Sequence, residues 1–396
     1  MRVLFATVPW PTHYFGLVPI AWALQAQGHE VRVASHPSHL ATVAQSGLPG
    51  VELGRDVDFM SSFQSTVGPM LTSDYSKLTP EDGEEMAEKI LGIFAMIAEA
   101  QLDDLVEMCR EWQPDLVVYE PAAFAGPIAA AVLGIPSARC LWGPDVTYGN
   151  THLENSSLGP MLRRYGLDHV DTLGTITLDP CPEKLQVPSE LNRQRIRYIP
   201  YNGPGTMPAW LLEPPRPPRV CITWGTSTVK LGGPETFLLP YAVKAAADLG
   251  VEVVVAITPA QRDLLGEVPE GVRVAESPPL HMVLPTCDAI VHQGGAGTTL
   301  TAAYYGVKQL IIPQVLDQIV NSFRVAETGA GAFFLRRGLV GDEITAPVRT
   351  ALDRLLTEPG YADGARRLEA DILAQPTPAD IVPVLESLTV RQVVVR

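Results

Sequence analysis

A glycine-rich segment in the second half of the chain has the residue types of a phosphate site. Residues 288–299 read Asp-Ala-Ile-Val-His-Gln-Gly-Gly-Ala-Gly-Thr-Thr, a short apolar strand that leads into glycines and a predicted helix start near Thr298. Glycines let a phosphate approach the backbone, and a helix N-terminus offers free N–H groups and the positive end of a dipole. His292, at the strand end, is a candidate donor to the same phosphate. The alternative interpretation is a tight turn that binds nothing.

Two familiar nucleotide motifs do not fit this segment. A Walker A loop needs Gly-Lys-Ser/Thr, and no lysine lies here. A dinucleotide fingerprint needs a third glycine where the chain has Leu300, although Asp317 follows at about the right distance, roughly 20 residues. A nicotinamide dehydrogenase is still an alternative, and failure of the protein to bind NAD(H) would exclude it.

Polar side chains follow two other predicted strands. Asp317 and Gln318 come just after the strand 309–312, where open α/β sheets bind ligands, and an acid beside an amide suits the hydroxyls of a sugar. Helix capping by Asp317 is the alternative. Trp224-Gly-Thr-Ser227 follows the strand 220–224, and its N–H groups and hydroxyls suit a second phosphate oxygen, although such a segment is also an ordinary strand–helix turn.

The first half of the chain offers a candidate general base. His13 lies in the first predicted strand–helix loop, and imidazole is the side chain whose usual pKa suits proton transfer near neutrality. Glu120 ends the predicted strand 115–119 at the same sheet edge, from which a carboxylate orients a histidine and raises its basicity. The alternatives are a surface histidine and a solvated strand terminus. Asp56 and Asp58 resemble a metal pair but follow no buried strand, so we expect a solvated loop and no metal site.

The elements that must position these residues form two α/β halves. Strands are predicted at 2–8, 30–35, 115–119 and 137–141, with helices over 15–27 and 122–133, and a parallel right-handed crossover joins successive strands. Residues 55–105 read as a partly helical insertion that covers a cleft, and residues 143–195 read as irregular. After a proline- and glycine-rich stretch, strands are predicted at 220–224, 251–257, 272–275, 289–292, 309–312 and 332–335, followed by helices over 344–357, 362–373 and 379–388.

Length and composition limit the classes of function. A chain of 396 residues exceeds one hydrophobic core, and a net charge of −15 argues against nucleic acid or an anionic membrane as a partner. Five scattered cysteines suggest reduced thiols and a cytoplasmic location. We expect no transmembrane helix and no signal peptide.

These residues together carry a resemblance. The chain resembles the GT-B glycosyltransferases of family 1, and in particular the actinobacterial enzymes that attach deoxysugars to antibiotic aglycones. The resemblance spans essentially the whole chain in order, and its 292–318 stretch is quite specific. The segments that carry it are Met1-Arg-Val-Leu-Phe, Thr12-His-Tyr-Phe, Val18-Pro-Ile-Ala-Trp-Ala-Leu, Gly28-His-Glu-Val, Gln113-Pro-Asp-Leu-Val-Val, Leu141-Trp-Gly-Pro-Asp, Pro279-Leu280, His292-Gln-Gly-Gly-Ala-Gly-Thr, Gly306-Val-Lys-Gln-Leu, Asp317-Gln318 and Gly329-Ala-Gly.

The resemblance implies two facing Rossmann-like domains with one ligand each. Residues 1–200 would bind the acceptor, residues 201–218 would form the linker, and residues 219–396 would bind the donor, with the last helix packing back on the first domain. His13 matches the general base, and Glu120 stands where the family usually has the aspartate that orients it. Trp142 and Asp145 stand near the acceptor wall. The implied donor-binding residues are Gly225, Thr226, Ser227, Leu280, His292, Gly294, Gly295, Ala296, Gly297, Thr298, Asp317 and Gln318.

The implied reaction is an inverting, metal-independent transfer of a deoxysugar from a TDP-sugar to a polyketide or aromatic acceptor. No cofactor is expected, because the TDP-sugar is a co-substrate, and a helix N-terminus can stabilise the leaving diphosphate. Oxygen and carbon glycosylation are both open, as are a homodimer and an activator protein. The competing hypotheses are a nucleotide-sugar epimerase or hydrolase on the same fold, and a non-catalytic nucleotide-sugar-binding helper protein.

Overall fold

The computed structural model describes residues 1–72, 79–215, 218–336 and 338–393, which form two parallel β-sheets with helices on both faces. The first sheet contains β1 (Arg2–Ala6), β2 (Glu30–Ser35), β3 (Gly50–Glu52), β4 (Leu116–Tyr119), β5 (Ser137–Cys140), β6 (Ile176–Asp179) and β7 (Arg193–Arg195). The second contains β8 (Arg219–Thr223), β9 (Glu252–Ile257), β10 (Arg273–Glu276), β11 (Ala289–His292), β12 (Lys308–Ile311) and β13 (Gly331–Phe333). The predicted α/β class, with two doubly wound sheets, is confirmed.

The strand order places one switch point in each sheet. The orders are β3-β2-β1-β4-β5-β6-β7 and β10-β9-β8-β11-β12-β13, and all neighbouring strands run parallel. The order reverses between β1 and β4 in the first sheet and between β8 and β11 in the second. Loops leave a switch point in opposite directions, which opens a crevice at the carboxyl ends of the strands. Both crevices receive residues that the sequence singles out.

Both sheets are covered on their two faces, which explains their unbroken apolar strands. Val3 and Phe5 pack into one core cluster, whereas Leu4 between them packs into another on the opposite face. In the second sheet Ile222 and Cys221 divide in the same way. A strand that is buried on both faces needs apolar residues at every position, because successive side chains point to opposite sides.

Helices connect the strands. In the first half they are α1 (Pro11–Tyr14), α2 (Val18–Ala26), α3 (Leu40–Gln45), α4 (Phe59–Val67), α5 (Pro80–Glu99), α6 (Leu102–Trp112), α7 (Ala125–Leu133) and α8 (Thr151–Arg164). In the second half they are α9 (Thr228–Gly232), α10 (Leu239–Ala247), α11 (Pro259–Leu265), α12 (Leu280–Val283), α13 (Ala296–Tyr304), α14 (Leu316–Thr328), α15 (Thr345–Thr357), α16 (Pro359–Leu373) and α17 (Pro378–Val393).

One helix prediction differs from the structure at its start, and one helix was missed. The predicted helix over 15–27 corresponds to α2, which begins three residues later, and the short α1 precedes it in the predicted loop. The segment 143–195, predicted as irregular, contains the 14-residue α8 with Pro160 inside it. Its buried residues, Leu158, Met161 and Leu162, have helical spacing and pack against the core. Tertiary packing outweighs the poor helix propensity of Gly159 and Pro160.

The end of the chain returns to the first domain. Ile381, Val382 and Leu385 of α17 are buried in the same cluster as α2 and β1. Gln27 donates to the Ala379 carbonyl at 3.0 Å, and His29 pairs with Glu386 at 3.2 Å. The last helix therefore belongs by packing to the core of the first half. None of the described helices is long and apolar enough to span a membrane. The five cysteines form no disulfide bonds.

Candidate functional site

The switch point of the first sheet brings His13 and Glu120 together. His13 lies on α1 after β1, Glu120 directly follows β4, and His13 Nδ1 is 3.0 Å from Glu120 Oε2. The carboxylate is fixed by two backbone donors, the N–H groups of Val8 at 3.2 Å and of Ala122 at 2.9 Å. Because Nδ1–H donates to the carboxylate, the neutral ring keeps its Nε2 lone pair for a proton. The arrangement is that of an oriented general base.

Aromatic rings surround the imidazole of His13. The Trp142 ring stacks at 4.4 Å between centroids with an angle of 21°, and the Trp10 ring lies at 5.7 Å with an angle of 27°. Phe94 of α5 approaches to 6.3 Å, and Phe63 of α4 contacts both Phe94 and Trp10. The insertion therefore supplies an apolar wall beside the His13 imidazole. Residues 73–78 of that insertion lie outside the described part of the chain.

The glycine-rich segment forms the turn from β11 into α13 at the switch point of the second sheet. The helix begins at Ala296, two residues earlier than the sequence predicted, with Gly295 as its N-cap residue. Gly294 has a φ of 97°, and a Cβ there would lie 2.8 Å from Ile311 Cγ2, so only glycine fits. By contrast, no atom lies within 4 Å of a Cβ built at Gly297, so the helix start faces open space. This is an accessible helix N-terminus, which favours an anion.

His292 is placed differently from its expected role. Its ring is fully buried, Nδ1 accepts the Gly294 N–H at 3.1 Å, and Nε2 donates to Gln309 Oε1 at 3.0 Å. The Gln309 orientation is set by its own donation to the Thr299 carbonyl at 3.2 Å. Burial lowers the pKa of His292 to about 4, against the opposing effect of the Gln309 hydrogen bond. In this arrangement neutral His292 shapes the turn, and Gly294 and Gln309 occupy its two ring nitrogens.

Asp317 and Gln318 begin α14 after β12, beside the same crevice. Asp317 does not cap the helix, because Val315 is the N-cap residue. Its side chain is exposed at the cleft, but surrounding protein atoms displace part of its water. This desolvation raises the pKa of the carboxyl, whereas the N–H groups of Asp317 and Gln318 and the nearby His13 lower it. Gln318 is buried, and its Oε1 accepts the Gln314 N–H at 2.9 Å. Of these two side chains, the exposed Asp317 carboxylate has more hydrogen-bonding capacity left for a ligand.

The loop after β8 completes the donor side. Gly225 has a φ of 63°, and a Cβ there would lie 2.3 Å from Gln293 Nε2, so this position also requires glycine. Thr226 is exposed, and the Ser227 hydroxyl accepts the Trp10 indole N–H at 3.2 Å from the other domain. Leu280, another of the implied donor-binding residues, is the first residue of α12. The loops of the two halves also touch elsewhere, because a Cβ at Gly143 would lie 2.7 Å from Ala296 Cβ.

Of the two predicted acceptor residues, Trp142 and Asp145, only the first faces the cleft residues. Trp142 is half-buried against His13, whereas the Asp145 side chain is fully buried. Its carboxylate pairs with Arg139 and, at 3.3 Å, with Arg193, and it accepts the Thr147 hydroxyl at 2.9 Å. Such a compensated buried charge fixes the loop after β5. Asp145 in this position supports the loop that carries Trp142.

Known proteins match both halves of the chain. Residues 22–225 match the N-terminal domain of the erythromycin biosynthesis protein CIII-like family, and residues 241–388 match its C-terminal domain. The chain belongs to this family. It is a glycosyltransferase with the GT-B fold, and the resemblance predicted from the sequence is confirmed.

Individual relatives cover nearly the whole transferase. The 10-deoxymethynolide desosaminyltransferase of Streptomyces venezuelae is 39% identical across 98% of this chain and 97% of its own length. The aklavinone 7-beta-L-rhodosaminyltransferase of Streptomyces galilaeus is 37% identical across 98% of this chain and 96% of its own length. The glycosyltransferase VinC, solved in complex with dTDP, superposes with a TM-score of 0.83 at 33% identity, covering 99% of this chain and 100% of VinC.

Several residues of the transferase site were missed by sequence reasoning. Asn321 Nδ2 donates to the Gly294 carbonyl at 2.7 Å, and the Tyr198 hydroxyl contacts the Gly297 carbonyl at 3.2 Å and the Thr301 hydroxyl at 3.0 Å. Asn321 lies four residues after Asp317 on one helix, a spacing that puts both on one side and signals a shared role. Tyr198 precedes the predicted linker, and only the folded chain brings it to the glycine turn.

The structure offers no evident metal centre within residues 1–72, 79–215, 218–336 and 338–393, where no cluster of three or more His, Cys, Asp or Glu side chains could hold an ion. Asp58 instead caps α4 by accepting the Ser61 N–H at 3.1 Å, and Asp56 accepts the Ser38 N–H at 3.0 Å. Both carboxylates therefore have the structural role that the sequence predicted for a solvated loop.

Proposed function

We propose that this transferase moves a deoxysugar from a thymidine diphosphate sugar to a polyketide or aromatic acceptor, with inversion at the anomeric carbon. The observation that carries the proposal is the His13–Glu120 dyad, which lies across the cleft from the glycine turn before α13. The names of the relatives support the substrate classes, since they transfer desosamine and rhodosamine to 10-deoxymethynolide and aklavinone. A related structure with a bound nucleotide, VinC with dTDP, supports the thymidine diphosphate donor.

In the proposed reaction, His13 Nε2 takes the proton of the acceptor hydroxyl. The acceptor oxygen attacks the anomeric carbon from the face opposite the diphosphate, a carbon–oxygen bond forms, and the bond to the diphosphate oxygen breaks. Glu120 stabilises the imidazolium that results. The leaving diphosphate gains its negative charge beside the N-terminus of α13, where N–H groups and the helix dipole favour an anion in the place of a cation.

The donor sugar is assigned to Asp317, with Gln318 beside it. The Asp317 carboxylate has open acceptor capacity in the cleft and lies near His13, so a sugar bound to it would sit between base and diphosphate. The Gln318 oxygen is occupied by the Gln314 N–H, which leaves its amide N–H groups for a sugar oxygen. We therefore expect Asp317 to contribute more to donor binding than Gln318.

The proposal is tested by separating base from donor contact. His13→Ala should lower kcat by about 100- to 10,000-fold, the range of general base catalysis, and leave calorimetric affinity for TDP and TDP-glucose unchanged. Asp317→Ala should weaken TDP-glucose about tenfold or more, because charged hydrogen bonds are strong, yet leave TDP unchanged since TDP has no sugar.

His169→Ala is the matched control, because this histidine is exposed on the surface. Full turnover by both site variants would refute the assignment. Consumption of TDP-sugar without any acceptor would favour the epimerase or hydrolase alternative. Donor binding by the wild-type protein with no product from any macrolide or aromatic polyketide would favour the helper protein.

A further inference from the structure

Trp10 is in contact with both halves of the site. Its indole ring lies nearly parallel to the His13 imidazole, and its Nε1–H donates to Ser227 Oγ of the donor half at 3.2 Å. Ser227 directly precedes α9 in the loop after β8. One rigid side chain therefore joins the candidate base to a loop assigned to the donor diphosphate.

The position of the Trp10 ring is firmly held. The His13 N–H donates to the Trp10 carbonyl at 3.1 Å, so both residues belong to one turn. Phe63 meets the indole edge-on at 5.4 Å and 88°, and Phe59 lies at 5.9 Å. Aromatic pairs with this geometry stabilise each other. The ring cannot swing away without disrupting the start of α1 and the face of α4.

The bond to Ser227 also decides what that hydroxyl can do. A serine hydroxyl has one hydrogen to donate and two lone pairs. When a lone pair accepts the indole N–H, the hydroxyl hydrogen remains for another acceptor, and within the described chain the Trp10 bond is the one hydrogen bond of Ser227 Oγ. The rotamer of Ser227 is thus fixed with a donor available to a diphosphate oxygen.

We propose that Trp10 is a positioning residue that couples donor diphosphate binding to the catalytic base. Its N–H edge orients the Ser227 hydroxyl towards the diphosphate, and its ring face stabilises the His13 imidazolium formed when the base takes the proton. Indole is the aromatic ring that attracts a cation most strongly. This inference rests on the proposed function, because it takes His13 as the base and a diphosphate as the ligand.

Trp10→Phe separates the two effects, because phenylalanine keeps an aromatic face and lacks the N–H. We expect this variant to weaken calorimetric TDP affinity about three- to tenfold, as the loss of one hydrogen bond predicts, and to keep kcat within about threefold. Ser227→Ala should weaken TDP to a similar extent. The Trp10→Phe/Ser227→Ala double variant should then be no weaker than either single variant, because each removes the same interaction.

Trp10→Leu removes the aromatic face as well. We expect TDP affinity to match that of Trp10→Phe, and kcat at saturating donor to fall a further three- to thirtyfold, about the range of a cation–π contact. A kcat that is kept in Trp10→Phe and lost in Trp10→Leu, with TDP affinity lowered in both, is a pattern that simple loss of packing would not produce.

Trp22→Phe is the matched control. Trp22 is 39% exposed on α2. Its indole N–H makes one hydrogen bond as well, to the backbone oxygen of Ser46 at 3.0 Å. We expect neither TDP affinity nor kcat to change in this variant. Additive losses in the double variant, or equal kcat in Trp10→Phe and Trp10→Leu, would overturn the role of Trp10. That result would leave the proposed function intact if His13→Ala is still inactive and still binds TDP.

Discussion

At the scale of single residues, the surroundings of each histidine decide its chemistry. His13 is partly exposed beside a buried carboxylate, which suits a group that must gain and lose a proton. Within the described residues, His292 and His39 are buried without a carboxylate partner, and desolvation lowers the pKa of each to about 4. For His39, the neighbouring charges of His36 and His13 add to that effect. Both buried rings are therefore neutral at neutral pH.

We expect these buried histidines to make the fold sensitive to mild acid. In the unfolded chain a histidine takes up a proton below its ordinary pKa of about 6.5, whereas the folded state resists protonation down to about pH 4. Stability is therefore fully present above about pH 6.5 and lost as pH falls towards 4. Each group should cost about 2 kcal/mol of unfolding free energy between pH 7 and pH 5.

Urea unfolding of His39→Gln at both pH values measures this effect. The glutamine is neutral throughout, so the loss of stability between pH 7 and pH 5 should be smaller by about 2 kcal/mol than in the wild-type protein. The exposed His169 provides the comparison, and His169→Gln should lose as much stability as the wild type. An unchanged pH dependence in His39→Gln would contradict the assigned cause.

At the scale of elements, the turn from β11 into α13 assigns different tasks to its glycines. Gly294 is needed by the backbone, because its φ of 97° and the nearby Ile311 exclude a side chain. Gly297 lies in the first turn of the helix with open space where its side chain would be. One glycine is therefore required by the fold and the other leaves room at the helix N-terminus.

A matched pair of alanine substitutions distinguishes the two tasks. Gly294→Ala should destabilise the protein by about 2 kcal/mol or more, through backbone strain and a steric clash. Gly297→Ala should raise the melting temperature slightly, because alanine stabilises a helix by about 0.5–1 kcal/mol relative to glycine, yet weaken TDP binding by placing a methyl group in the open space. Thermal unfolding and calorimetry check both expectations. Unchanged TDP affinity in a stable Gly297→Ala protein would place the diphosphate elsewhere.

At the scale of the whole molecule, the two halves are tied together at their ends and across the cleft. The helix α17 comes from the C-terminal end of the chain and packs on α2 of the first half. Across the cleft, α4 meets α9, where Gln64 Nε2 donates to the Lys230 carbonyl at 2.7 Å. His13 and the glycine turn before α13 belong to different sheets, so the proposed site exists only when these contacts hold the halves together.

Loss of one buried side chain of α17 should therefore destabilise the first half of the molecule. Leu385 is fully buried, and Leu385→Ala should lower the free energy of unfolding by about 2–5 kcal/mol. Val390 of the same helix is 63% exposed, so Val390→Ala should change stability by less than about 0.5 kcal/mol. Urea unfolding followed by tryptophan fluorescence measures both. Equal stability of the two variants would mean that α17 does not form part of this core.

The sequence predicted ten of the thirteen described strands, because buried strands read as short apolar runs, and it missed the short strands β3, β6 and β7. The strand 289–292 agrees at both ends with β11, and most others agree to within one or two residues. Local patterns failed where packing overrides propensity, as in α8 with its internal Pro160. They also missed the four-residue α1, which precedes the predicted helix over 15–27.

The sequence by itself determined the α/β class, the two sheets and the polar residues at their carboxyl edges, because strand periodicity and glycine turns are local properties. Only the tertiary structure decided which of those residues meet. It brings Glu120 within 3.0 Å of His13 despite 107 positions between them, and it buries Asp145 among arginines. It also turns His292 inwards and places Trp10 against Ser227. Side-chain direction and distances between domains depend on packing across the whole chain, which no local spacing records.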